Sequence, residues 1–108
     1  MHMRDILVID GVYKLELESL ILMQIRSEKL NVSPSDILEV IQLKLEYYIE
    51  RIMNGDIKAL MPDYNFSGYQ IDVHFFKEVP ADVDKYLREI ADEVRDKDIS
   101  MTVSVAFE

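Results

Sequence analysis

The chain has 108 residues, 49% of them apolar, and a formal net charge of −9 at pH 7. This length and composition predict one folded domain over residues 1–108 rather than a disordered chain. The negative charge argues against nucleic acid and anionic membranes as partners, because both attract basic surfaces. The absence of cysteine excludes disulfides, thiolate metal sites and a cysteine nucleophile.

The beginning of the chain shows neither a membrane span nor a signal peptide. Its apolar segment, ILVI, is too short for either, and no small-residue cleavage site follows it. The lack of cysteine fits a reducing compartment. We therefore expect a cytoplasmic protein.

The first 30 residues predict a β-hairpin and then a helix. Asp10-Gly11 separates the run ILVI from an alternating segment, which is a strong hairpin signal. We predict strands at about residues 5–9 and 12–16, with a helix beginning near Val12 as the alternative. Residues 17–30 are apolar nearly all round at their centre and predict a buried helix. The short link after it predicts an αα-hairpin with the next helix.

A long amphipathic helix is predicted over residues 33–55. Ser33 is a suitable N-cap, Pro34 suits the first helical position, and Asn54-Gly55 can adopt the left-handed conformation that ends a helix. The residues expected to face the core are Ile37, Leu38, Ile41, Leu45, Tyr48, Ile49 and Ile52.

The same helix carries a second apolar strip, formed by Val40, Leu43 and Tyr47. An acidic line separates it from the core side on one flank, and Lys44 and Arg51 do so on the other. The strip either covers another element of the domain or contacts another chain. Self-association as a two-fold dimer through this strip is our expectation, because a second copy is the commonest cover for such a patch.

Residues 55–68 are irregular but rich in apolar side chains. They are predicted to close one end of the core, with a single helical turn around residues 57–61. Long loops are often functional. The loop residues counted as candidate interface residues are Leu60, Met61, Tyr64 and Phe66.

The second half of the chain predicts strand, helix and strand. Residues 69–76 alternate between apolar and polar, a helix begins after Pro80, and residues 99–107 alternate again. The predicted fold is a two-layer α+β domain of order ββααβαβ. Its helices should lie on one face of a small mixed sheet, because both later strands keep one polar face.

The residues that could support catalysis lie on that polar face. Asp72 and His74 are two residues apart on one strand, and Ser100, Thr102 or Ser104 could supply a hydroxyl if the last two strands are neighbours. A solvated sheet face explains the same pattern. The three glycines are too scattered for a phosphate loop, and no metal-ligand spacing occurs, so we expect no cofactor.

These observations lead to three hypotheses, in order of preference. The first is a non-enzymatic protein-binding or assembly module that self-associates. The second is an acidic inhibitor or immunity-type protein that covers a basic site on a larger partner, which rests on the net charge alone. The third is an enzyme that uses the sheet face around Asp72 and His74.

Overall fold

The computed structural model describes residues 9–27 and 33–105. The α+β class and the order ββααβαβ are as predicted. The strands and helices are β1 (Gly11–Leu15), β2 (Leu20–Arg26), α1 (Ile37–Met53), α2 (Asp56–Leu60), β3 (Gly68–Phe75), α3 (Ala81–Val94) and β4 (Ile99–Val105). Single 3-10 turns precede α1 at Pro34–Asp36 and follow α3 at Arg95–Lys97.

The four strands form one mixed sheet in the order β1-β2-β3-β4. β1 pairs antiparallel with β2, whereas β2, β3 and β4 are parallel. Alternate residues of each central strand point to a core covered by α1 and α3, which contact each other. The core residues contributed by β2 and β3 are Ile21, Met23, Ile25, Ile71, Val73 and Phe75. We call the opposite side of the sheet the open face.

The predicted helix over residues 17–30 is wrong, because residues 20–26 form the central strand β2 and residues 28–30 lie outside the described residues. Central strands of parallel sheets read as continuous apolar runs, which periodicity cannot separate from a buried helix. The predicted αα-hairpin is therefore wrong too.

The turn before β2 contains the fully exposed Leu17 and has Ser19 in the left-handed region at φ 55°. It lacks the glycine, proline or asparagine that usually indicates a turn.

The first predicted strand lies mostly outside the described residues, and Ile9 comes before β1. The second predicted strand corresponds to β1, so a helix beginning near Val12 is excluded. β1 pairs with β2 through the turn at residues 16–19. Gly11 is the first residue of β1 and Asp10 precedes it, so this pair does not form the turn of the β1–β2 hairpin.

The later helices and strands form close to where the sequence predicts them. Gly55 adopts the left-handed conformation at φ 79° after α1, and α2 is the predicted single turn. The Ser33 hydroxyl bonds to the Asp36 carboxylate at 2.9 Å rather than capping a backbone N–H. No helix within the described ranges is long and apolar enough to cross a membrane.

Lys44 of α1 is a cation buried in the core. Its side chain is 1% exposed, and its Nζ lies 2.9 Å from Oδ1 of Asp10, which is 5% exposed. The second carboxylate oxygen, Oδ2, accepts the backbone N–H of Arg26 at 2.9 Å. These contacts satisfy both charges inside the protein, as burial requires.

Tyr48, one turn after Lys44, completes this polar cluster. Its hydroxyl accepts the backbone N–H of Asp10 at 2.8 Å and donates to the Gln24 carbonyl at 2.6 Å. Burial raises the pKa of Tyr48 above its ordinary value of 10.0. The cluster therefore joins α1 to the beginning of β1 and to the carboxyl end of β2.

Replacing Lys44 by Met is expected to destabilise the protein by about 3–5 kcal/mol, because it leaves the Asp10 carboxylate buried and unpaired. The double variant Lys44→Met/Asp10→Asn should recover part of this loss. The control Arg88→Met removes an exposed partner of Asp84 and should cost less than about 1 kcal/mol. Urea unfolding measures all three, and equal losses in Lys44→Met and Arg88→Met would contradict the structural role of the pair.

Alkaline pH should destabilise the fold through Tyr48. Its pKa is raised in the folded state, so its contribution is fully present below pH 10 and is lost as the pH rises towards the folded value. The slope from this residue should approach about 1.4 kcal/mol per pH unit. Urea unfolding at several pH values should give a shallower slope for Tyr48→Phe than for the wild type or for the exposed control Tyr13→Phe. An unchanged slope in Tyr48→Phe would contradict the assignment.

Candidate functional site

The second apolar strip of α1 is continuous with the core. Val40 is a core residue at 2% exposure, which corrects the prediction that it stands on a separate surface. Leu43 and Tyr47 are half-buried and pack against the core. The error came from Lys44, which was expected to separate the strip from the core and is itself buried. The predicted interface on this helix is thereby reduced to the accessible parts of Leu43 and Tyr47.

The candidate residues of the loop mostly close one end of the core. Tyr64 stacks on Phe66 with ring centroids 5.7 Å apart, and Phe66 packs edge-on against Tyr69 at 5.1 Å. The Tyr64 hydroxyl donates to the Leu20 carbonyl at 3.2 Å, which ties the loop to β2. Met61 is also half-buried, whereas Leu60 is 67% exposed. Leu60 is therefore the loop residue that offers the most free apolar surface.

The open face brings together the polar residues singled out from the sequence. β3 and β4 are neighbours, and their register places Asp72 beside Thr102 and His74 beside Ser104. Asp72 accepts the Thr102 hydroxyl at 2.8 Å through Oδ1 and the Ser104 hydroxyl at 2.9 Å through Oδ2. Nδ1 of His74 lies 2.8 Å from Oγ of Ser104. Asp72 is thus the centre of a small hydrogen-bonded network.

The order of groups in this network is not that of an activated serine. A serine nucleophile gives its proton to a histidine, which an acid orients from the far side. Here Ser104 donates its hydroxyl hydrogen to Asp72, and the same Oγ lies 2.8 Å from Nδ1 of His74, from which it can accept a hydrogen bond. The network therefore holds Ser104 in place. Within the described ranges, no three His, Asp or Glu side chains come together as metal ligands.

β4, which lies at an edge of the described sheet, has an unusual composition for an edge strand. Its sequence, ISMTVSV, contains no charged residue, proline or glycine. Val103 is 41% exposed, and β3 is the neighbour of β4 among the strands that the structure describes. The alternation of this strand is evident in the sequence, whereas its position at the edge of the sheet was not predicted. The lack of any charge over seven residues was the available signal.

Ser104 is expected to resist reagents that label activated serines. A fluorophosphonate probe should leave the intact mass of the protein unchanged, because the serine proton goes to a carboxylate rather than to His74. Asp72→Asn provides the comparison and should also remain unlabelled. Labelling of Ser104 that disappears in His74→Ala would contradict this interpretation and support the enzyme hypothesis.

Comparison with known proteins places the chain in a family without indicating an activity. No curated protein and no solved structure matches it. A family model matches residues 1–107, nearly the whole chain, and describes a family of unknown function (DUF6572). The chain belongs to the DUF6572 family.

Proposed function

We propose that this chain is a non-enzymatic assembly module that self-associates as a two-fold dimer through the outer edge of β4, which no other strand of the described residues covers. The observation that carries the proposal is the composition of that edge strand. Seven consecutive residues without a charge, proline or glycine lie at the border of the described sheet. Such an edge presents unpaired backbone groups and is a ready template for another strand.

Natural sheets usually protect an edge with charge, shortness or a bulge. The opposite edge follows this rule, since β1 has five residues and carries Lys14, whose Nζ lies 5.3 Å from the centre of the Tyr64 ring. β4 has seven residues and no such protection. The contrast between the two edges favours β4 as the surface that a partner covers.

The distribution of charge supports contact between two copies of an acidic chain. The four strands together carry two basic residues, Lys14 and Arg26, and one acidic residue, Asp72. The other acidic residues in the described ranges lie on the helices and connections. Pairing through the sheet edge therefore avoids placing acidic surfaces against each other, which would oppose association.

The other two hypotheses keep less support. The acidic inhibitor stays a prediction that rests on the net charge of −9. The enzyme hypothesis required β3 and β4 to be neighbours, and they are. The order of the hydrogen bonds around Asp72 nevertheless argues against activation of Ser104. A cytoplasmic location and the absence of a cofactor also stay predictions from the sequence.

Sedimentation velocity over a wide concentration range tests the proposal. The wild type should sediment as a dimer, and Val103→Lys should sediment as a folded monomer, because it places a charge on the edge strand of both copies. Met53→Lys is the matched control: Met53 is 56% exposed on α1 against 41% for Val103, and both variants change the net charge equally. A wild type that stays monomeric throughout, or equal dissociation in the two variants, would overturn the proposal.

A further inference from the structure

We infer that β4 pairs antiparallel with β4 of a second copy, in the one register that is centred on Thr102. The inference rests on the proposed self-association and adds the register and the contacting atoms. It follows from the direction of the backbone groups, from the order of side chains along the strand and from the charges beside it.

The direction of the backbone groups is fixed by the pairing with β3. The Asp98 carbonyl accepts the Tyr69 backbone N–H at 2.8 Å, so the backbone groups of residue 98 point towards β3. Neighbouring residues of a strand direct these groups to opposite sides, and in this register Ser100, Thr102 and Ser104 also face β3. The residues whose backbone groups point away from β3 are Ile99, Met101, Val103 and Val105.

An antiparallel pair centred on Thr102 satisfies all of these outward groups. Met101 faces the partner's Val103, and Ile99 faces the partner's Val105, as hydrogen-bonded pairs that each exchange two bonds. Thr102 faces Thr102 of the partner subunit as a pair without backbone hydrogen bonds between them. If one β4 strand is shifted by two residues along the other, either Ile99 or Val105 has no partner residue within β4. If it is shifted by one residue, backbone groups that point towards the partner strand meet residues whose backbone groups point away from it.

The side chains match in the same register because the strand is chemically symmetric about Thr102. On the core side of the sheet, apolar residues meet apolar ones, since Ile99 and Met101 face the partner's Val105 and Val103. On the open face, Ser100 meets the partner's Ser104, and the two Thr102 residues meet each other. Cross-strand pairs of this kind stabilise sheets, and no charges are opposed. The result is one eight-stranded sheet, in which the two hydroxyl networks around Asp72 become neighbours across the pairing.

Charges of both signs lie beside the beginning of β4. Arg95 and Asp98 line a cavity of about 440 Å³ together with Ile99 and Met101 of β4. The Arg95 guanidinium also contacts the Asp92 carboxylate at 2.7 Å. The beginning of β4 therefore has a cation beside it as well as acidic groups.

Disulfide cross-linking tests the register, since the chain has no native cysteine. In the inferred pairing the two Thr102 Cα atoms lie about 4.5 Å apart, within the range that a disulfide spans. Thr102→Cys, oxidised with glutathione disulfide, should therefore form a covalent dimer on a non-reducing gel. Ser100→Cys and Ser104→Cys are matched controls on the same strand and face. Each alone should stay uncrosslinked, because four residues of strand separate its two copies by about 14 Å.

Mixing the two control variants gives a second readout. Ser100→Cys faces the partner's residue 104, so a mixture with a tagged Ser104→Cys should yield the mixed dimer and little of either homodimer. Cross-linking of Ser100→Cys alone at the rate of Thr102→Cys would overturn the inferred register. A wild type that sediments as a dimer while Thr102→Cys fails to cross-link would overturn the β4 pairing and leave self-association standing. A monomeric wild type would overturn both.

Discussion

The ion pair between Lys44 and Asp10 decides how the rest of the chain packs. It lies between the middle of the longest helix and the residue before β1, with both side chains almost completely removed from water. Two charges in such a place are tolerated only when they are paired and hydrogen-bonded, and the Arg26 backbone N–H bonds to the second oxygen of the Asp10 carboxylate. The Tyr48 hydroxyl accepts the backbone N–H of Asp10 and so fixes the same residue. The rotation of α1 about its axis is therefore tied to the position of β1.

That rotation determines which surfaces remain for a partner. With Lys44 turned inwards, Val40 enters the core and Tyr47 packs edge-on against Tyr48, with ring centroids 6.4 Å apart. The apolar surface expected on α1 largely disappears. The exposed large apolar side chains in the described ranges are scattered, and they are Tyr13, Leu17, Met53 at the end of α1, Leu60, Phe76 and Val103 on the edge strand β4.

The polar face of the sheet shows why residue content alone is a weak guide to chemistry. Asp72, His74 and Ser104 are the residue types of a hydrolytic triad, and Ser104 lies within hydrogen-bond distance of both Asp72 and His74. Their order differs, because the carboxylate contacts the serine and the histidine lies at the end. The contact between Ser104 and the Asp72 carboxylate joins β4 to β3, and it differs from the serine–histidine–carboxylate order that activates a nucleophile.

Local patterns in the sequence determined α1, α2, α3, β1, β3 and β4, and with them the α+β class. The alternation in β3, the apolar spacing of α3 and the glycine after α1 each act within a few residues, so the sequence expresses them directly.

β2 could not be identified in this way. Its apolar run is compatible with helix or strand until the strands on either side provide hydrogen bonds. The burial of Lys44 likewise depends on Asp10, 34 positions away. The place of β4 at an edge depends on the order of the whole sheet. Only the tertiary structure decides these points, because each depends on a partner distant in sequence.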